Sequence, residues 1–199
     1  MKKLFIFILF FTLLNAGGIT KEQKVVEFIK DGKKIRIARE NKTIPKEYLN
    51  PTIGYIAPMK IDKNIETIAE LEVINYLKES TTNDNIVVVD ARTPDWYEKI
   101  KIPTAINLPY TLFQNKENAI DTLLMDLGVN KNNDGSLDFS NAKTIVVYCN
   151  GAWCLQSIML IKDAKYSLLK LGYPKDKIKY YRGGMQSWVV LGLTTQGKE

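Results

Sequence analysis

Two short segments of the chain are apolar at almost every position, and stretches with helical spacing of apolar residues lie around them. The two runs span residues 86–89 and 144–148. A strand that is apolar throughout is typical of a parallel sheet covered on both faces. Because such strands alternate here with helical segments, we predict an α/β fold in which a parallel sheet is flanked by helices.

The other elements of this main domain, which spans residues 63–196, are predicted from the same periodicities. Gly172 supplies the C-cap of the longest predicted helix, and a helix or turn holds Trp188. The further strands are expected at 65–68, 105–109 and 178–181, and the helices at 69–80, 94–99, 118–127 and 153–171.

Residues 18–62 follow a different pattern. Alternating apolar and polar positions surround Asp31 and Gly32 and predict a short β-hairpin, after which three prolines punctuate the chain. The segment carries no chemical motif. We interpret it as a small N-terminal β appendage that packs on, or tethers, the main domain.

The first residues, 1–17, have the order of charges and apolar residues of a secretory signal peptide. Lys2 and Lys3 precede an apolar run at 4–14, and small residues follow it. A run of this length is short for a hydrocarbon core of about 30 Å, so a retained N-terminal anchor is the weaker alternative. We therefore expect export to the periplasm, with no stable membrane insertion after the signal is removed.

The composition excludes several classes of catalytic and binding site. The formal charge is +6, but Lys and Arg are interspersed with Asp and Glu, so no nucleic-acid partner is expected. The chain has two cysteines and no histidine, which excludes Ser-His-Asp and Cys-His catalysis and an ordinary Cys/His zinc site. The mild positive charge favours small anionic substrates.

Residues 130–141 partly match the pattern of a calcium-binding loop. The first ligand position holds Asn130, and the last holds Asn141 in place of a bidentate glutamate. These departures favour a polar Asn-Asp-Gly turn over a cation site. We expect neither a metal nor a cofactor.

Cys149 directly follows the apolar run at 144–148 and precedes a tight loop and a helix. Open α/β sheets bind ligands at the carboxyl ends of their strands. A loop that turns into a helix can direct several backbone N–H groups at one centre, which favours a thiolate over a thiol. Cys149 is therefore the predicted nucleophile, and it needs no imidazole.

Four blocks of sequence, in this order, resemble the rhodanese (sulfurtransferase) domain family. They are DARTPDWY (90–97), IPTAINLP (102–109), VVYCNGAWC (146–154) and YRGGMQSWVVLGL (181–193). Each block is a moderate signal by itself. The resemblance is specific because the four blocks occur in the same order as in the family. It covers essentially the whole main domain.

The resemblance implies a mechanism and a role for each residue that matches the family's motifs. The Cys149 thiolate would take a sulfane sulfur from a small anionic donor, hold it as a persulfide and pass it to a thiol or protein acceptor. Asp90 and Arg92, as well as Gly183, Gly184 and Trp188, would have structural roles. The substrate cradle would consist of Asn150, Gly151, Ala152, Trp153 and Cys154.

The chain departs from the family pattern in two places. Ile100-Lys101 replaces the usual Gly-His, and the active loop contains no Arg or Lys. An anionic donor such as thiosulfate would therefore meet no side-chain cation inside the loop. The loop also lacks the terminal arginine of the related phosphatases, which argues against phosphatase activity.

Two loop residues have alternative interpretations. Cys154 is either a resolving thiol for Cys149 or a small packed residue that starts the following helix and points aside, and the helical position is favoured. Trp153 either walls the substrate pocket or packs on the surface.

Three functions remain open at this point. The first is an exported sulfurtransferase with a Cys149 persulfide and, as one candidate donor, thiosulfate. The second is a non-catalytic persulfide carrier or binding module, and the third is a redox module that uses both cysteines.

Overall fold

The computed structural model describes residues 17–49 and 54–198. The predicted signal peptide, residues 1–17, lies outside the described residues except for its last residue. In the two described ranges, no helix has both the length and the apolar character needed to cross a membrane. These ranges contain a five-stranded parallel sheet with helices on both faces and a separate N-terminal hairpin, which confirms the predicted fold class.

The helices and strands are numbered in chain order. The strands are β1 (Val25–Lys30), β2 (Lys33–Ala38), β3 (Glu66–Ile68), β4 (Ile86–Asp90), β5 (Ile106–Asn107), β6 (Asn130–Lys131), β7 (Leu137–Asp138), β8 (Thr144–Tyr148) and β9 (Ile178–Tyr181). The helices are α1 (Lys46–Leu49), α2 (Glu70–Glu79), α3 (Pro94–Lys99), α4 (Lys116–Met125), α5 (Gln156–Ile158), which continues as a π-helical turn over Met159–Asp163, and α6 (Gly184–Val190).

The central sheet has the strand order β3-β9-β8-β4-β5, and every neighbouring pair in it is parallel. Strand β8 lies in the middle. Because all strands run in one direction, the carboxyl ends of β4, β8 and β9 meet at one edge of the sheet. In the register of these strands Tyr148 lies between Asp90 and Tyr181.

The two faces of the sheet carry separate apolar cores. Ile145 and Val147 of β8 pack with α4 and α5, whereas Val146 and Tyr148 pack with α2 and α6. Alternate residues of a strand point to opposite faces, so a strand covered on both faces has to be apolar throughout. The two runs that predicted buried strands are confirmed as β4 and β8.

The N-terminal hairpin has the predicted turn. Asp31 and Gly32 both have positive φ, 50° and 72°. The type I′ turn, which joins two strands by a two-residue loop, requires positive φ at both of its central residues. Val26 and Ile37 of the hairpin lie in the same apolar core as α2 and α6. The hairpin therefore packs directly on the main domain.

The predicted helix at 153–171 is wrong in length. Helical structure begins at Gln156 and ends before Ala164, whose ψ of 158° is extended. The chain then turns back, and the backbone N–H of Leu168 donates to the carbonyl oxygen of Leu160 at 3.1 Å. Both leucines are buried in one core. The spacing of apolar residues indicates only which residues are buried. A chain that turns back onto the same core buries Leu168 as well as a continuous helix would, so the two cannot be distinguished from the sequence.

The polar segment at 130–141 forms a small hairpin, β6 and β7, around an Asn-Asp-Gly turn. Gly135 has a φ of 85°, and the Asp134 carboxylate accepts hydrogen bonds from the backbone and the hydroxyl of Ser136. The predicted turn is confirmed.

Candidate active site

Cys149 directly follows β8 at the carboxyl edge of the sheet, where the sequence placed it. Its side chain is buried, with 2 % of the residue exposed. The loop that follows runs from Asn150 to Leu155, the N-cap of α5. A loop at this edge can reach the ends of β4 and β9 as well as the start of α6.

The start of α6 holds the loop in place by its backbone. The N–H groups of Met185 and Gln186 donate to the carbonyl oxygens of Cys149 and Asn150 at 3.0 and 2.8 Å. This approach requires glycine at position 184, because a Cβ there would lie 2.3 Å from the Cys149 oxygen and φ is +55°. With these carbonyls engaged by α6, the loop can turn N–H groups toward the Cys149 sulfur.

The Cys149 sulfur is surrounded by hydrogen-bond donors. The Ser157 hydroxyl donates to Sγ at 3.4 Å, and the N–H groups of Ser157 and Gly151 also stabilise its thiolate form. The neutral thiol donates to the Cys154 carbonyl oxygen at 3.1 Å, a contact that favours the protonated form. Burial raises the pKa of Cys149, but hydrogen bonds from the Cys154 thiol, Ser157 and Gly151 outweigh it and lower the pKa to about 6.

Cys154 does not start the helix, contrary to the favoured prediction. Helix α5 begins two residues later, and the Cys154 N–H instead donates to the Gly151 carbonyl at 3.0 Å, which closes a turn. Residue 154 lies against the predicted nucleophile, with its carbonyl oxygen 3.1 Å from the Cys149 sulfur. The interaction with Cys149, together with burial, raises the pKa of the Cys154 thiol, so it stays protonated. Both cysteines are free thiols.

The remaining loop residues predicted to bind substrate have different surroundings. Gly151 turns its N–H toward Cys149, as above, whereas the Ala152 carbonyl accepts from the N–H of Ala57 at 2.8 Å. The Trp153 indole N–H donates to the Gln186 side chain at 3.0 Å, and its ring lines a cavity. Of the two interpretations of Trp153, the structure favours the pocket wall.

The Asn150 side chain points into a buried polar network and away from the sulfur. Its Oδ1 accepts from the Tyr48 hydroxyl and from Arg92, each at 3.1 Å. Arg92 also forms a fully buried ion pair with Asp90 at 2.6 Å. The buried ion pair agrees with the structural role expected for Asp90 and Arg92. Through Arg92 the pair also anchors the active loop, because Arg92 donates to Asn150. Asn150 therefore shapes the loop by anchoring it.

The N-terminal appendage contributes to the site. Tyr48 of α1 joins the Arg92 network, and the segment at 54–57 lies on the active loop. A Cβ at Gly54 would lie 1.7 Å from the Trp153 carbonyl oxygen, so the two backbones are in direct contact. These residues and Ser157 were not predicted to belong to the site. Ser157 follows another polar residue, Gln156, so the sequence carries no signal that distinguishes it.

A cavity of about 500 Å³ opens beside the loop. Among the described residues, none of the side chains that line it is charged. Cys154 lines the cavity, whereas the buried Cys149 does not. Its walls are formed by Gly54, Tyr55, Trp96, Tyr110, Asn150, Trp153, Cys154, Leu155, Gln156 and Met159.

The lowered pKa of Cys149 predicts a thiolate at neutral pH. We expect its ultraviolet absorbance to rise with a midpoint near pH 6, and a Cys154→Ala variant, which lacks one donor, to titrate at higher pH. Unfolded cysteine titrates near pH 8.5. The stabilisation from this lowered pKa is therefore fully present above about pH 8.5 and lost as the pH falls through about 6. A Cys149→Ser variant that shows the same absorbance step would contradict the assignment.

The fold and the site together define a class of protein, an α/β protein whose activated cysteine lies in a loop at the carboxyl edge of a parallel sheet. The profile of the rhodanese-like domain matches residues 73–190, more than half of the chain. The chain belongs to the rhodanese-like domain family, which confirms the resemblance seen in the sequence.

Comparison with curated proteins gave no match. Among solved structures, a Bacillus halodurans protein is 23% identical over 66% of this chain and 77% of its own, with a TM-score of 0.46. A rhodanese-like domain from Anabaena sp. is 19% identical over 69% of this chain and 81% of its own, with a TM-score of 0.41. A thiosulfate sulfurtransferase from Pseudomonas aeruginosa is 19% identical over 71% of this chain and 22% of its own, with a TM-score of 0.44.

Proposed function

We propose that this protein is an exported sulfurtransferase that moves a sulfane sulfur through a persulfide on Cys149, with thiosulfate as the donor. The observation that carries the proposal is the environment of the Cys149 sulfur. A buried thiol would ordinarily resist ionisation, yet donors from Cys154, Ser157 and Gly151 lower its pKa to about 6. The thiolate is the nucleophilic form of cysteine, so the site holds an activated nucleophile.

The reaction has two steps. The Cys149 thiolate attacks the outer sulfur of thiosulfate, a bond forms between the two sulfurs, and sulfite leaves with the electron pair of the broken bond. The persulfide that results carries its charge on the outer sulfur. The N–H groups of Gly151 and Ser157 and the Ser157 hydroxyl, which stabilise the resting thiolate, are placed to stabilise this charge as well. In the second step cyanide or a thiol attacks the outer sulfur and regenerates the thiolate.

A persulfide carrier that serves a protein partner is the second candidate. Cys149 is only 2 % exposed, and the cavity in front of it has no charged lining among the described residues. A small anion would therefore enter without attraction from a side-chain cation. A partner that docks over the loop would not depend on such attraction.

The export part of the proposal rests on the order of charged, apolar and small residues at 1–17. It places the site in the periplasm, where thiols are exposed to oxidants. The mature protein would begin near residue 18 and would keep the hairpin and α1, both of which pack on the main domain.

Transfer of sulfur from thiosulfate to cyanide tests the proposal, with protein recovered from the periplasm of expressing cells. We expect thiocyanate to form catalytically, and intact-mass analysis of a Cys154→Ser variant without cyanide to show one added sulfur atom on Cys149. The same mass measurement reports the N-terminus, and recovery of the uncleaved chain would contradict a cleaved signal peptide. Absence of the protein from the periplasm would contradict export. A stable persulfide without turnover would support the carrier, and absence of both persulfide and turnover would refute the two functions together.

A further inference from the structure

The cysteine at the cavity is Cys154, although Cys149 carries the activated sulfur. Cys154 is among the residues that line the cavity, and Cys149 is not. A molecule that enters from this side therefore meets residue 154 before it reaches the buried Cys149. The mechanism given above uses Cys154 only as a hydrogen-bond donor, so its position at the cavity has no role in that mechanism.

The two cysteines are neighbours in the loop. The turn closed by the Cys154 N–H and the Gly151 carbonyl brings residue 154 back toward Cys149. The Cys149 sulfur lies 3.1 Å from the carbonyl oxygen of Cys154, and both residues are buried free thiols. A disulfide bond, whose length is about 2 Å, would therefore join two residues that are already adjacent.

The charges around the site favour an acceptor that is built into the chain. Among the described residues, the cavity lining offers no cation that would attract an anionic acceptor such as cyanide. Cys154 needs no such attraction because the loop itself holds it next to Cys149. It also keeps its proton, since the bond to Cys149 and burial raise its pKa, and a departing sulfide needs that proton.

We infer that Cys154 is a resolving thiol that attacks the inner sulfur of the Cys149 persulfide and expels the outer sulfur as hydrosulfide. The inference rests on the proposed function, which forms the persulfide. A bond forms between the sulfurs of Cys154 and Cys149, and the bond between the inner and outer sulfur breaks. The Cys154 proton first passes to the outer sulfur, so that Cys154 attacks as the thiolate. The outer sulfur takes the electron pair of the broken bond and leaves as HS⁻, and a Cys149–Cys154 disulfide remains.

Further turnovers need a reductant, which we assign to an external dithiol. The dithiol would enter the cavity, which Cys154 lines, and attack the Cys154 sulfur to form a mixed disulfide and release Cys149 as the thiolate. Its second thiol then completes the reduction and frees Cys154. Over one cycle, thiosulfate and a dithiol yield sulfite, sulfide and the oxidised dithiol.

The test is sulfide release by the reduced full chain from thiosulfate, with neither cyanide nor reductant present. We expect one burst of sulfide that matches the amount of protein, together with a chain two hydrogens lighter that is resistant to alkylation. Added dithiothreitol should then make sulfide release continuous. Sulfite release measured in the same samples reports persulfide formation independently of Cys154.

The matched variant is Cys154→Ser, whose hydroxyl can still donate to Cys149 but cannot form a disulfide. We expect it to accumulate the Cys149 persulfide and to release sulfide only at the rate of a protein-free blank. Sulfide release equal to that of the wild type, or a stable persulfide in the wild type as well, would overturn the role of Cys154 and leave the proposed function standing. Absence of added sulfur and of sulfite from both proteins would overturn the two together.

Discussion

Replacement of Cys149 by serine is expected to reduce thiosulfate-to-cyanide transfer by about 1000-fold or more. The reason is that serine retains the size and hydrogen bonding of the side chain but has no thiolate to attack a sulfane sulfur. The persulfide should also be absent from the intact mass of the variant. Initial rates of thiocyanate formation provide the measurement.

The fold should survive this change, because a buried thiol and a hydroxyl differ little in volume and the Ser157 hydroxyl can still pair with residue 149. A matched control is Met125→Ser, which removes a sulfur atom from a side chain that is 76% exposed. This control should keep the wild-type rate. Transfer retained in the Cys149→Ser variant would show that Cys149 is not the nucleophile and would leave Cys154 as the remaining thiol.

Replacement of Arg92 by methionine is expected to lower the free energy of unfolding by about 3–5 kcal/mol. Arg92 and Asp90 are both fully buried and form an ion pair at 2.6 Å. Without the guanidinium, the buried Asp90 carboxylate loses its ion pair and keeps the hydrogen bond from the backbone N–H of residue 92. The Tyr48 hydroxyl and the Asn150 Oδ1 also lose the hydrogen bonds that Arg92 donates. Urea unfolding followed by circular dichroism measures the change.

A comparable arginine on the surface provides the control. Arg36 pairs with Glu40, but their side chains are 40% and 56% exposed, so water can replace the lost contacts in an Arg36→Met variant. We expect this control to unfold close to the wild type. Equal destabilisation by the two variants would show that the buried network contributes no more than a surface pair.

The Arg92 variant should also affect the site, because the network holds Asn150 and thereby the active loop. In conditions where the variant is still folded, we expect the pKa of Cys149 to move toward that of free cysteine. This follows because the donors from Gly151 and Ser157 depend on the position of the loop. The same absorbance titration that tests the wild type measures it.

Much of the fold could be predicted from the chain because its signals are local. The apolar runs that became β4 and β8 must be buried on both faces, and Asp31-Gly32 has the backbone freedom that its hairpin turn needs. The prediction of a continuous helix over 153–171 was wrong because the end of that helix depends on contacts with distant residues. The turn at Ala164 depends on packing of Leu168 against the rest of the core.

Some residues of the candidate site could likewise be predicted from local sequence, and others could not. Cys149 was predicted because the end of an apolar strand before a tight loop is visible in the chain. Ser157 and the orientation of Cys154 were not, because they depend on where α5 begins after the loop has turned. Tyr48 was missed because it lies 102 residues from Asn150, to which its hydroxyl donates.

The amino-acid sequence alone therefore determined which two strands are buried on both faces, predicted the family and the candidate nucleophile, and excluded imidazole as the activating group by its lack of histidine. The tertiary structure determined which hydrogen bonds surround the Cys149 sulfur and which cysteine lines the cavity. The physical reason is that the periodic spacing of apolar residues indicates which residues of a local segment are buried. The geometry around a sulfur atom depends instead on hydrogen bonds from segments far apart in the chain, which only folding brings together.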